Sequence, residues 1–226
     1  MRRKRAIWIG ARFTRKGSAR AAKALWRLAV RAIGRRRRAG AFVARTAFRH
    51  RGEAAGLAAL ALLAAWAAVE VAGSLEAFFA VACPALCLAA WRSWRLAGRY
   101  SAGAASERAV ATGLRPLERS GWTVLDDLDK PGGGNVDHLA AGPGGAFTIE
   151  TKTVRYTEAD LRQASGHARW AERRLRSPVT PVLCLARRHD APHERKGVVV
   201  CGATELVSFL DRQPGPPFDS RRLARV

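Results

Sequence analysis

Hydrophobic and polar positions divide this chain into three stretches with different periods. From Ala54 to Val69 the sequence AAGLAALALLAAWAAV carries no charge, and after the interruption from Glu70 to Glu76 a second run, AFFAVACPALCLAAW, continues to Trp91. Neither run has a polar face, which separates both from ordinary amphipathic helices of a soluble core. Each is slightly shorter than the roughly 20 residues that cross a bilayer, and flanks such as Val71 to Leu75 bring the first near that length. The pattern predicts two transmembrane helices over 53–95, joined by a turn at Gly73-Ser74. A soluble, Ala-rich helical pair that mediates oligomerisation is the competing reading.

From Ala102 the pattern changes to alternating helix and strand. Glu107, Val110, Leu114 and Leu117 recur at helical spacing behind a cap at Ser106 or a neighbour, with Pro116 expected to kink or end the helix. Trp122 to Leu128, Asn135 to Ala141 and Ala146 to Thr153 read as strands. Leu161, Ala164, Ala168, Ala171 and Leu175 form one apolar helical stripe with Gln163, His167 and Trp170 along its edge. Two buried strands follow, PVLCLA from Pro181 and GVVVCG from Gly197, then a closing helix over 204–210.

Charge sharpens the division. Residues 1–52 carry 18 Lys plus Arg and no acid, residues 53–101 carry three of each sign, and the remainder carries 19 bases against 15 acids. The net charge of +22 is therefore an N-terminal property. Such an arm is attracted to anionic lipid or to nucleic-acid phosphates, and Arg20 to Ile33 has the pattern of an interfacial helix. Basic residues before the first span and at Arg92, Arg95 and Arg99 after the second place both termini in the cytoplasm, with the protein in the inner membrane. The opening decapeptide MRRKRAIWIG has too short an apolar run for a secretory signal. The four cysteines lack metal-ligand spacing and read as small buried hydrophobes.

The third strand holds the candidate chemistry. With a period of two, Phe147, Ile149 and Thr151 share one face while Glu150 and Lys152 share the other, about 7 Å apart. The Gly-Pro-Gly-Gly turn at 142–145 folds the second strand back, so Asp137 faces them from about 5 Å, and Glu107 joins from the helix over the sheet. Two such close carboxylates repel unless a cation lies between them, and Mg²⁺ or Mn²⁺ needs only one or two carboxylates while keeping several waters. A cation there polarises a phosphoryl oxygen and activates water, with Lys152 placed to orient it or to stabilise developing charge. A solvated sheet face with a cross-strand ion pair is the alternative for the same residues. His138 alternates away from Asp137, so a structural hydrogen bond is expected of it.

The segments SERAVATGL, GNVDH, GPGGAFTIETK and LRQASGHA, in this order, resemble the NERD domain, the nuclease-related member of the PD-(D/E)xK superfamily. The resemblance covers roughly Ser101 to Leu210. It implies an α/β fold: a restriction-endonuclease-like mixed sheet flanked by helices over 101–212, here preceded by the membrane hairpin and followed by a tail over 213–226. It implies Asp137 and Glu150 as metal ligands, with Lys152, Glu107 and Gln163 as the catalytic set. The implied activity is Mg²⁺-dependent phosphodiester hydrolysis, with DNA favoured over RNA by analogy alone. A module that binds nucleic acid or a partner at the membrane without hydrolysis is the competing function. Two departures bear on substrate preference. Ser106 stands where a glycine often precedes the glutamate, and only Thr153 to Arg162 separates the lysine strand from the next helix.

Overall fold

The computed structural model describes residues 39–70, 74–130, 134–215, 218–219 and 222–223. The expected interfacial helix at Arg20 to Ile33 lies outside them. Helix α1, Ala41–Glu70, packs along α2, Ser74–Leu114. A 3₁₀ turn at Arg115–Glu118, with Pro116 near its start, ends the helical run. Strands β1 (Thr123–Asp129), β2 (Asn135–Gly142) and β3 (Gly145–Lys152) follow. Then come α3 (Glu158–Leu175), β4 (Thr180–Leu185), β5 (His193–Arg195), β6 (Val198–Gly202) and α4 (Ala203–Asp211).

The six strands form one mixed sheet in the order β1-β2-β3-β4-β6-β5. The three N-terminal strands are an antiparallel meander, and β3, β4 and β6 are parallel neighbours. Gly142 pairs with Gly145, so Pro143 and Gly144 make the two-residue turn, and Gly145 takes φ +116°, a conformation few side chains permit. On one face, Val110, Leu114 and Leu117 after α2's polar stretch join Leu206 and Leu210 of α4 over Val124, Ala140, Phe147, Ile149, Val182 and Cys184. On the other, Leu161 and Ala164 of α3 cover Leu183, Leu185, Val198 and Val200. Burial on both faces explains why β4 and β6 read as continuous apolar runs.

Two sequence expectations change. Ser106 caps nothing: it lies inside α2, donating to the Ala102 carbonyl at 3.0 Å, because the helix runs unbroken from the apolar segment into the sheet domain. At 1.5 Å per residue its 41 residues extend about 60 Å. Secondly, among the described residues one helix, over Ala41–Val69, is long and apolar enough to cross a membrane, where two were expected. The second apolar run is only the stretch from Ala77 to Trp91 at the start of α2, closed off by Arg92, Arg95 and Arg99.

The helix pair is built inside out. Small residues line its seam: Ala47, Ala54 and Ala61 of α1, and Ala97 and Ala104 of α2, are all buried. Their seven-residue spacing keeps them on one side of each helix and lets the backbones approach closely. The bulky residues face outward. Phe48, Leu62, Leu63, Trp66 and Val69 of α1 and Val81, Leu88, Trp91 and Trp94 of α2 are exposed, Val69 at 83 %.

Candidate active site

The hairpin turn and strand alternation determine which side chains meet. His138 stands opposite Ile149, so Asp137 stands opposite Glu150 one step along the ladder. Asp137 is buried and its Oδ2 accepts the backbone N–H of Thr151 at 2.7 Å. Glu150 is also buried, and its Oε1 lies 3.0 Å from Lys152 Nζ. Glu107 arrives differently from the sequence expectation. Its helix packs on the reverse face, against Ile149, and the carboxylate enters from the end of β3, where Ser106 Oγ donates to Thr153 Oγ1 at 3.1 Å. Glu107 is buried there and accepts a hydrogen bond from the backbone N–H of Gly40, just ahead of α1.

The electrostatics are those of an acid cluster short of positive charge. Burial, then the charges of Asp127 and Glu150, push Glu107 up to about 7. Burial, then Glu150 and Glu107, hold Asp137 well above the usual carboxylate range. For Lys152, burial acts to lower the pKa, but Glu150 and Asp160 outweigh it and keep the ammonium above its ordinary value. Each shift reports that adding another negative charge here is unfavourable and that the lysine only partly compensates.

Four residues of the sequence-derived set are thus brought together: Asp137, Glu150, Lys152 and Glu107. Gln163 is exposed on α3. His138 faces the opposite side, fully buried, with Nδ1 2.8 Å from Asp126 Oδ1, an arrangement suited to the structural role expected of it.

Three residues near the cluster were not selected from sequence. Asp127 is buried, and by the β1–β2 register it lies opposite Asp137. It adopts φ 53°, takes the Asn135 amide at 2.6 Å on Oδ1, and leaves Oδ2 without a hydrogen-bond partner. His167, one turn after Gln163, is buried with Nδ1 3.1 Å from Glu150 Oε2, yet misaligned, so neither atom forms a hydrogen bond. Asp160 contacts Lys152 Nζ through Oδ1 at 3.0 Å. His167 had a visible signal, since Gln163 and His167 are spaced one helical turn apart; Asp127 and Asp160 depend on register and on a turn that sequence alone does not supply.

A hard divalent cation fits the donor chemistry. Asp137 and Glu150 offer carboxylate oxygens on neighbouring strands, and Glu150 Oε2 is buried with no hydrogen bond. Among the described residues no three His, Cys, Asp or Glu side chains are already drawn around one point, so the protein would supply two ligands and water the rest.

Residues 102–186 match the family model described as NERD, the nuclease-related domain. The match spans the last turns of α2 through β4 and contains Glu107, Asp137, Glu150, Lys152 and Gln163. No curated protein and no solved structure matches the chain.

Proposed function

We propose that this protein is a membrane-anchored nuclease that hydrolyses phosphodiester bonds with Mg²⁺ or Mn²⁺ held at Asp137 and Glu150. The observation that carries the reading is the meeting of buried Asp137, Glu150 and Glu107 with half-buried Lys152 within a segment that matches a nuclease-related domain. When bound, the cation supplies Lewis-acid polarisation of a phosphoryl oxygen and a more acidic water. The residues of the chain do the rest. Asp137, fixed by the Thr151 N–H, and Glu150 hold the ion. Lys152 presents its protonated ammonium to the charge that develops on the phosphoryl oxygens. Glu107, pushed to about 7, is suited to take a proton near neutral pH. Gln163, exposed on α3, is left the peripheral role of contacting substrate.

DNA is the favoured substrate by superfamily analogy. The membrane part of the proposal rests on the exposed apolar exterior of the α1–α2 pair, which water would not tolerate as a free surface. With arginines at both the arm and positions 92, 95 and 99, the reading places the protein in the inner membrane with cytoplasmic termini and its basic arm on anionic lipid or nucleic acid. A second reading, a binding module without hydrolysis, is favoured by one observation: Lys152 already sits on Glu150 and neutralises it.

The deciding experiment uses the full chain in detergent with linear and circular DNA. Cleavage is expected with Mg²⁺ or Mn²⁺ and none with chelator, and Lys152→Ala and Asp137→Ala should each abolish it. Equal residual cleavage in wild type and both variants would assign the activity to a contaminant and remove the nuclease reading.

A further inference from the structure

The short connection after β3 leads directly into the start of α3, and that start is an unusual helix cap. Thr157 is the N-cap and Asp160 the third helical residue. Asp160 Oδ2 accepts the Thr157 backbone N–H at 2.7 Å and its hydroxyl at 2.8 Å, while the Asp160 N–H donates back to Thr157 Oγ1 at 3.4 Å. This reciprocal box fixes the carboxylate of its third residue. Here the cap uses only one of the two oxygens. Oδ1 points away from the cap and meets Lys152 Nζ at 3.0 Å, the same distance that separates Nζ from Glu150 Oε1. The lysine is therefore suspended between a carboxylate in the acid cluster and one locked into a helix terminus.

The two partners are not equivalent. Glu150 is buried and, on the reading proposed above, its unpaired Oε2 takes the cation, which draws negative charge away from the oxygen that holds Lys152. Asp160 is more exposed and held by three hydrogen bonds with Thr157. We propose that Asp160 is a positioning residue: it retains Lys152 beside the site when Glu150 is given up to a divalent cation, so that ammonium and cation are present together. Without it, the lysine would have Glu150 as its sole anchor and would compete with the cation for that carboxylate. The inference rests on the proposed cation site, and the helix cap gains a second duty. The shortness of the 153–162 segment, noted from sequence as bearing on substrate preference, is what brings the cap within reach of Lys152.

The test separates retention of the lysine from binding of the cation. The chain contains six lysines, so the [¹³Cε]lysine spectrum of the full protein in detergent can be assigned by substitution. In Glu150→Gln, Lys152 should remain ordered, held by Asp160; in Glu150→Gln/Asp160→Asn it should become distinctly more mobile. Equal mobility of Lys152 in the single and the double variant overturns the proposal. Mn²⁺ titration calorimetry then reads the consequence. Asp160→Asn should weaken Mn²⁺ binding about tenfold when Lys152 is present, and change it little in a Lys152→Met background, as a pair acting through one side chain must. An equal loss in both backgrounds would mean that Asp160 acts on the ion itself, and no loss in either would leave it a helix cap only; both results reject the proposal. Glu158→Gln, in the same turn but paired with Arg195 and Lys196, controls for charge and should leave both readouts unchanged. If wild-type protein binds no Mn²⁺, the cation reading fails while the spectrum still judges the clamp.

Discussion

Glu107 carries a pH signature that follows from its surroundings. Its carboxyl titrates near 7 in the folded protein against about 4.3 for an unfolded chain. The group is raised, so its contribution to stability is fully present below the unfolded value and is lost as pH climbs through 7. The metal-free protein should therefore melt at a lower temperature at pH 8 than at pH 5.5, with a difference on the order of 2 kcal/mol traceable to this one group. Glu107→Gln should reduce that dependence between pH 5 and 8, leaving the share of Asp137, which burial raises in the same way, and added Mn²⁺ should raise the melting temperature most at the alkaline end. A melting temperature in Glu107→Gln that falls as steeply as in the wild type over the same window would assign the pH dependence to other groups. At this scale the sequence was readable where a period decides: alternation and the Gly-Pro-Gly-Gly turn suffice to bring Asp137, Glu150 and Lys152 together. Asp160 was not, because its meeting with Lys152 depends on how a five-residue connection bends. Asp127 was hidden for a related reason, since in the stretch LDDLD only the register with β2 tells which acid lies opposite Asp137.

The decisive element is α2, which joins the apolar pair to the candidate site without a break. Sequence reading placed a helix start at Ser106 or a neighbour, where the apolar runs give way to alternating helix and strand. Tertiary packing overrides that weak local preference: α1 lies against this very stretch through Ala97 and Ala104. The seam was legible in hindsight as a seven-residue repeat of small residues, Gly40, Ala47, Ala54 and Ala61, but the eye is drawn to the bulky positions that turn out to face outward. Gly40 is where the seam and the site coincide. It takes φ +72°, a Cβ there would lie 2.8 Å from the Ala104 carbonyl oxygen, and its N–H meets Glu107. Gly40→Ala should therefore lower the melting temperature, with at least about 1 kcal/mol from the left-handed backbone alone, and reduce cleavage by displacing Glu107. Gly52→Ala, inside α1 with nothing within 4 Å of the added methyl, should be neutral or stabilising by about 1 kcal/mol. Similar losses in both would mean that α1 tolerates no substitution and that Gly40 has no special place. The same geometry argues against cutting the chain at Ser101 to obtain a soluble domain, because the cut removes Gly40 and most of the helix that carries Glu107.

For the molecule as a whole, the two halves obey opposite rules of burial. The sheet domain hides its large residues, with Leu114, Leu139, Ile149 and Leu183 fully buried, whereas the helix pair buries alanine and shows tryptophan, leucine and valine. In water the second arrangement forgoes the main stabilising term of folding; in a bilayer, where lipid tails are as apolar as leucine, close packing of small residues is what associates helices. The polar collar where α1 and α2 leave the apolar zone fits the same boundary: Arg51 donates to Ser101, His50 stacks on Tyr100, and Arg95 lies over the Trp91 ring. The cysteines allow this contrast to be measured in the native chain. Cys87 lies exposed on the outward side of the apolar stretch, while Cys184 and Cys201 are buried in the sheet. In sealed membranes Cys87 should resist a membrane-impermeant maleimide from either side and should react once detergent dissolves the bilayer. Cys184 and Cys201 should stay unreactive until the protein is denatured, and a Ser101→Cys variant at the collar should label from the cytoplasmic side throughout. Rapid labelling of Cys87 without detergent, or full-length protein recovered in a high-speed supernatant, would place the apolar surface against protein instead of lipid and make the helix pair an oligomer interface.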